Sequence, residues 1–220
     1  MIWNKKFKYP TSTRALINGK RHYDVGTNEK LPSVTTILQA TQSEEKRKKL
    51  AEWRARQGAQ RADRIKDIAG LRGTSMHSYL EGYIKNERHL DLTSIGQEAG
   101  RMAQKVIESG LGDLEEVWGT EVTLYYPGLY AGATDVVGIY NGRESIIDFK
   151  QTNKPKQREW IGDYFTQLAA YAMAHNHIYD TQIQQGVILM CSKDGFFQKF
   201  VVSDKEFKEY KYTFLEKVDQ

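Results

Sequence analysis

From Val117 to Gln151 the sequence holds three consecutive segments of strand-like periodicity, "VWGTEVTLYY", "YAGATDVVGIY" and "ESIIDFKQ". Pro127-Gly128 divides the first two and Asn141-Gly142 the second and third; Asn-Gly between alternating apolar runs is a strong two-residue hairpin signal. A chain containing such a meander must bury at least one face of a sheet, so the flanking segments decide the fold. A helical pattern follows at 158–177, then two strand patterns at 183–192 and 196–203 that meet at Lys193-Asp194-Gly195. Asp204 is placed to cap a last helix, "KEFKEYKYTFLEKV". The order β-β-β-α-β-β-α predicts an α/β core, a mixed central sheet flanked by helices.

Upstream the periodicity is helical. Ser33 caps "VTTILQA", and Ser43 caps "EEKRKKLAEWRARQ", with Gly58 breaking or kinking the chain after it. A helix over 73–86 is expected to open at Thr74 or Ser75 and to present Met76, Tyr79, Leu80 and Tyr83 as its apolar stripe. Another runs over 94–109 and ends at Gly110. Residues 1–72 carry seventeen Lys/Arg against seven Asp/Glu, while 73–220 carry fifteen against twenty-one. The expected division is therefore a basic, mainly helical region over 1–72, covering a cleft in a core over 73–220. A basic face attracts phosphate backbones at long range, although an ordinary solvated helix face has the same composition.

Composition bounds the function. With 40% hydrophobic and 27% charged residues, the 220-residue chain suits one globular domain. No apolar run approaches the roughly 18 residues that span a bilayer, so no membrane partner is expected. Cys191 is the single cysteine, which excludes internal disulfides, cysteine-based zinc sites and iron–sulfur clusters. "MIWNKKFKYPTSTR" holds no signal-peptide-like segment, and a cytoplasmic protein is expected.

The chemistry concentrates in the meander. Side chains alternate along a strand, so Asp148 and Lys150 share one face while Ile147 and Phe149 share the other. Pairing across Asn141-Gly142 brings Asp135 beside Asp148. Two adjacent buried carboxylates are costly unless a cation intervenes, and hard oxygen ligands suit Mg²⁺ or Mn²⁺. A lysine beside such a site points to metal-assisted phosphodiester hydrolysis. A structural ion pair at a strand end accounts equally well for Asp148 and Lys150 alone. Similar acid-x-Lys triplets at Glu44, Glu206 and Glu209 lie on helices as solvated charges.

Taken together, "GTSMHSYLEGY", "GTEVTLYY", "GATDVVG", "IIDFK" and "QLAAY", in that order, resemble the PD-(D/E)xK nuclease superfamily and specifically its RecB-like exonuclease branch. The resemblance covers roughly residues 70–215. It implies a restriction-endonuclease-like core, metal-dependent DNA exonuclease activity and a two-metal site. His77, Asp135, Asp148 and the Phe149 carbonyl would be metal ligands, with Glu121 a metal-adjacent acid and Lys150 the group that positions water and neutralises charge. Gln167 and Tyr171, one helical turn apart, would face the active site and the DNA backbone. Lys154, Lys156 and Arg158 would meet phosphates where the strand leaves the site. Tyr125, Tyr126 and Tyr130 are candidates for stacking on bases, or for ordinary cross-strand packing. Gln151 departs from the pattern, in which a small hydroxyl residue follows the lysine. The implied substrate is single-stranded DNA entered from a free end, with replication or recombination proteins as partners, in a bacterial or bacteriophage setting. A structure-selective endonuclease and a non-catalytic DNA-binding accessory protein are the alternatives.

Overall fold

The computed structural model describes residues 1–220. Its centre is a six-stranded sheet in the order β1-β5-β6-β7-β8-β9. β5 (Leu114–Tyr126), β6 (Tyr130–Tyr140) and β7 (Arg143–Thr152) form the expected antiparallel meander. Asn141 and Gly142 both take left-handed φ angles, 48° and 78°, the conformation that a twisted two-residue hairpin requires. β8 (Gln185–Ser192) then runs parallel to β7, which demands a crossover, and α5 (Gly162–Tyr179) supplies it. β9 (Phe197–Ser203) pairs antiparallel to β8, and β1 (Ile2–Trp3) closes the other edge parallel to β5.

Helices cover both faces. α5 packs with α1 (Val34–Ala40) and α6 (Asp204–Val218) on one side, where Trp118, Ile146, Phe165, Leu168, Phe207 and Phe214 are buried. α3 (Ala59–Lys85) and α4 (Ser94–Gly110) pack on the other, burying Met76, Leu80, Met102, Ile147 and Phe149. The alternation along β7 thus sends Ile147 and Phe149 to the α3/α4 side and leaves Asp148 and Lys150 toward α5. This is the expected α/β arrangement, a mixed sheet between helices.

Three features differ from the sequence reading. The first 32 residues hold strands and no helix: β2 (Thr13–Ile17), β3 (Lys20–Asp24) and β4 (Lys30–Pro32) make a separate antiparallel sheet. Tyr23, Val25 and Leu31 of this segment pack on Ala131 of β6. Second, α3 is continuous through Gly70 and Gly73, so the division drawn at residues 72 and 73 falls inside a helix. Thr74 and Ser75 do not cap it: the Thr74 hydroxyl bonds back to the Gly70 carbonyl, and that of Ser75 donates to Asp91. Third, Asp204 is not a capping acceptor; both of its carboxylate oxygens are taken by Arg143. Ser33 and Ser43 do accept the expected backbone N–H bonds, and Gly58, at φ 79°, separates α2 (Glu44–Gln57) from α3.

Candidate active site

The ladder between β6 and β7 runs from Tyr140–Arg143 to Val136–Ile147 and stops there. Its next rung would join Asp135 to Asp148. Instead the Asp135 side chain takes over: Oδ2 accepts the Phe149 backbone N–H at 2.7 Å. The acid thereby satisfies a main-chain donor that the splayed strands leave unpaired. The same oxygen lies 3.1 Å from His77 Nε2, contributed by α3. His77 Nδ1 sits 2.8 Å from the Gly73 carbonyl, which can only accept, so Nδ1 carries a proton and Nε2 is the nitrogen turned to the acids.

Lys150 lies on the opposite flank. Its Nζ is 2.6 Å from Asp148 Oδ2, an ion pair without hydrogen-bond angles, and it donates to Gln167 Oε1 at 3.0 Å. Gln167 Nε2 in turn donates to the Tyr171 hydroxyl at 3.0 Å. The Tyr164 ring centroid is 4.6 Å from the ammonium. Tyr171 also explains the glycine of the "GATD" strand: a Cβ on Gly132 would stand 2.6 Å from Tyr171 Cε1. Two motifs far apart in sequence are thus one packing unit.

Electrostatics divide the two acids. Burial and the neighbouring Asp148 charge push the Asp135 carboxyl up to about 7, against the pull of His77. Burial would also raise Asp148, but the Lys150 ammonium outweighs it and holds that carboxyl below its ordinary value. Burial opposes the charge on His77 too, yet the Asp135 carboxylate raises the imidazole to about 10. Lys150 is raised because Asp148 outweighs its desolvation. The two acids are thus pushed in opposite directions, Asp148 down by Lys150 and Asp135 up by burial and by Asp148.

The remaining expected residues fall in different places. Glu121 reaches the mouth of the cavity of about 560 Å³ that His77, Gly73 and Gln151 line, but its carboxylate is exposed and makes no hydrogen bond. Its backbone is unusual: φ is 47° in mid-strand, a left-handed angle that costs a non-glycine residue roughly 1 kcal/mol or more. Gln167 and Tyr171 are buried, so they hold Lys150 rather than present a surface to a DNA backbone. Arg158 does not stand free for a phosphate; it is bonded to the Val201 carbonyl and to both oxygens of Glu206. Lys154 is exposed, and Gln198 pins both the N–H and the carbonyl of Lys156, whose side chain lines a cavity beside Trp160. Tyr126 stacks on Tyr130 and His177, and Tyr130 is buried, which is packing rather than a base-binding platform.

Sequence reading missed Arg72. It is 2% exposed and reaches Gln151 Oε1 at 2.8 Å and Asn153 Oδ1 at 2.6 Å. The signal available was an arginine one residue before the glycine-threonine of the histidine motif, within a run of basic residues that masked it.

Two carboxylates and an imidazole converge here, donors that a divalent cation can take, and Asp148 Oδ2 is buried with no hydrogen bond and only the Lys150 ammonium beside it. No three His, Cys, Asp or Glu side chains close a coordination shell by themselves.

No family model matches the chain. It is similar to mitochondrial genome maintenance exonuclease 1 of three vertebrates. The human protein is 30% identical over 178 residues, 75% of this chain and 50% of that protein. The mouse protein is 29% identical over 193 residues, 80% and 56%. The Xenopus tropicalis protein is 28% identical over 201 residues, 87% and 56%. The chain therefore spans about half the length of these relatives. A solved Eubacterium rectale structure, assigned as a candidate exonuclease, overlaps 67% of this chain and 68% of its own at 12% identity, with a TM-score of 0.47. No helix of the chain is long and apolar enough to cross a membrane. Over most of its own length, then, the chain is similar to the mitochondrial genome maintenance exonucleases.

Proposed function

We propose that the chain is a Mg²⁺- or Mn²⁺-dependent deoxyribonuclease that hydrolyses DNA from a free end, with single-stranded DNA as its preferred substrate. One observation carries this reading: His77, Asp135, Asp148, Lys150 and Gln167, drawn from a helix, two strands and a second helix, form one continuous contact set. A purely structural ion pair accounts for Asp148 and Lys150 but not for a histidine and a second acid converging on them. Asp135, Asp148, the Phe149 carbonyl and His77 would hold the metal, expected as two ions, which when bound supplies Lewis-acid charge and an acidified water. Lys150, held between Asp148 and Gln167, donates toward the phosphate and offsets the charge that develops there. Tyr171 keeps Gln167 in place, and the Gly73 carbonyl, accepting from Nδ1–H, keeps the His77 ring turned toward the acids.

The single-strand preference rests on α2 and the start of α3. α2 buries no side chain, and α3 buries only Ala62 before Arg72. The two helices form a projecting hairpin tied by Arg54 and Asp63. One foot stands on α5 through the Lys46–Asp163 ion pair, and the other on the end of β7 through Arg72. Lys150 adjoins both feet: it directly precedes Gln151, and its ammonium lies 4.6 Å from the ring centroid of Tyr164, the neighbour of Asp163. Residues 44–72 carry ten Lys/Arg and five Asp/Glu, a balance that draws phosphates. A helical strap this close to the site admits a flexible strand more readily than a duplex. The test is linear against covalently closed single-stranded DNA with Mg²⁺: linear strands should be degraded and circles should resist. Rapid nicking of circles would replace the exonuclease reading with an endonuclease.

A further inference from the structure

Arg72 places a fully charged group where charge is expensive. Its guanidinium is 2% exposed, and its nearest carboxylate, on Glu98 of α4, is 4.0 Å away. Burial accordingly lowers its pKa, with Glu98 opposing. Its short contacts are neutral amide oxygens, Gln151 Oε1 and Asn153 Oδ1. Burying a guanidinium against amides costs stability relative to an apolar side chain of similar volume, so packing alone does not call for arginine here. What arginine supplies is a planar fork that reaches two acceptors at once, in a geometry that lysine cannot match.

The two acceptors bracket the end of β7. Gln151 is the residue after Lys150, and its own amide nitrogen returns to α3, donating to the Ala69 carbonyl at 3.0 Å. A side chain at position 73 would press on Gln151, with a Cβ 3.3 Å from its Nε2, so a glycine there lets the joint close without displacing the amide. Arg72, Gln151 and Ala69 therefore close a loop between helix and strand. One turn further along the helix is His77; one residue earlier on the strand is Lys150. The joint also lies where α3 passes from its projecting half to its buried half.

We propose that Arg72 is a positioning residue that locks the end of β7 to α3, fixing Lys150 relative to His77 and making the helical hairpin and the catalytic strand move as one body. This rests on the nuclease reading above for its kinetic consequence, but not for its structural one. A misplacement of about 1 Å in such a site costs on the order of 10²-fold in rate.

The test uses the full chain with an end-labelled single-stranded oligonucleotide and Mg²⁺. Arg72→Lys keeps the charge and loses the fork; it should lower kcat by ~10- to 10²-fold while leaving KM within about twofold. Gln151→Ala removes the same joint from the strand side and serves if the arginine variant folds poorly. It should give the same split, and the double variant should be no slower than the worse single one. Guanidinium added to Arg72→Ala should restore part of the rate, which a loss of packing alone would not allow. Amide hydrogen exchange, followed without substrate, should quicken together over 59–72 and 148–153 in both variants. Parent kcat in Arg72→Lys and Gln151→Ala, a rise in KM that accounts for the whole loss, or exchange at parent rates in both segments would each overturn the proposal. If the parent protein cleaves no DNA the nuclease reading fails, and exchange alone decides this one.

Discussion

His77 Nε2 and Asp135 Oδ2 stand 3.1 Å apart although 58 residues separate them, and the same Asp135 oxygen accepts the Phe149 backbone N–H. One carboxylate therefore joins α3 to the strand that bears Lys150. The candidate site is assembled around that acid, and its consequences can be measured one at a time.

Removing Asp135 should be the most damaging of the acid substitutions. Asp135→Ala leaves the Phe149 N–H without its acceptor, a loss of roughly 1–3 kcal/mol for a buried donor. It should also abolish cleavage. Asp148→Ala should lower the rate by at least ~10²-fold, the scale of one lost transition-state stabiliser. A urea titration should show both variants less stable than the parent, Asp135→Ala through the unpaired Phe149 N–H and Asp148→Ala through the buried Lys150 ammonium left without its partner.

Gly132→Ala tests the contact between two motifs. The added methyl meets the buried Tyr171 ring at 2.6 Å, and overpacking of this kind costs roughly 1–3 kcal/mol. Displacement of Tyr171 should pass through Gln167 to Lys150 and slow cleavage as well. Combining Gly132→Ala with Tyr171→Leu should recover stability but not rate. A melting temperature equal to that of the parent in Gly132→Ala would show that the ring has room to move.

Stability should fall with acid through a histidine remote from the site. His175 is fully buried, with Nε2 2.9 Å from the Tyr9 hydroxyl and Nδ1 2.7 Å from Thr181 Oγ1. Thr181 spends its own proton on Asn176 Oδ1, so Nδ1–H must donate to Thr181 and Nε2 must accept from Tyr9. Burial, with Lys6 adding to it, pulls the imidazole down to about 4 from an ordinary 6.5. Between those values the unfolded chain binds the proton and the folded one does not, so stability is present above 6.5 and lost as pH falls toward 4. The loss is on the order of 3 kcal/mol. The urea midpoint should show that slope in the parent and a flatter one in His175→Gln.

Much of this was legible in the residues, for identifiable reasons. The meander was readable because Asn141-Gly142 sits between clean apolar alternations. The second sheet turns on Asn18-Gly19, the same dipeptide with similar left-handed angles, yet its strands "TRALI" and "KRHYD" bury only Tyr23 and so carry no clean alternation. That Asp135, Asp148 and Lys150 come together was readable from strand register, whereas Gln167 was suggested by the family resemblance alone and as a DNA contact, not as the partner of Lys150. Arg158 was misjudged because nothing local in "KPKQREW" announces Glu206, which reaches it from α6. Arg72 escaped because burial of one arginine among ten basic residues between 44 and 72 is a tertiary fact. The helix opening expected at Thr74 or Ser75 was misjudged because α3 begins at Ala59 and runs straight through Gly70 and Gly73.

Metal identity should show in binding and cleavage separately. Mg²⁺ or Mn²⁺ should support hydrolysis, whereas Ca²⁺, with longer and looser coordination, should support oligonucleotide binding with little cleavage. Equal turnover with Ca²⁺ would remove coordination geometry from the account.

The central claim is that Lys150 and its acids are an active site and not a structural ion pair. The direct measurement is single-turnover cleavage of 5′- and 3′-labelled linear single-stranded DNA by the parent and by Lys150→Ala, each with Mg²⁺ and with chelator, alongside affinity for the same strand. The account predicts cleavage by the parent only with metal, a loss of at least ~10²-fold in Lys150→Ala, and nearly unchanged affinity, because phosphate contacts elsewhere dominate binding. Cleavage by Lys150→Ala at the parent rate, or by the parent in chelator, would contradict it.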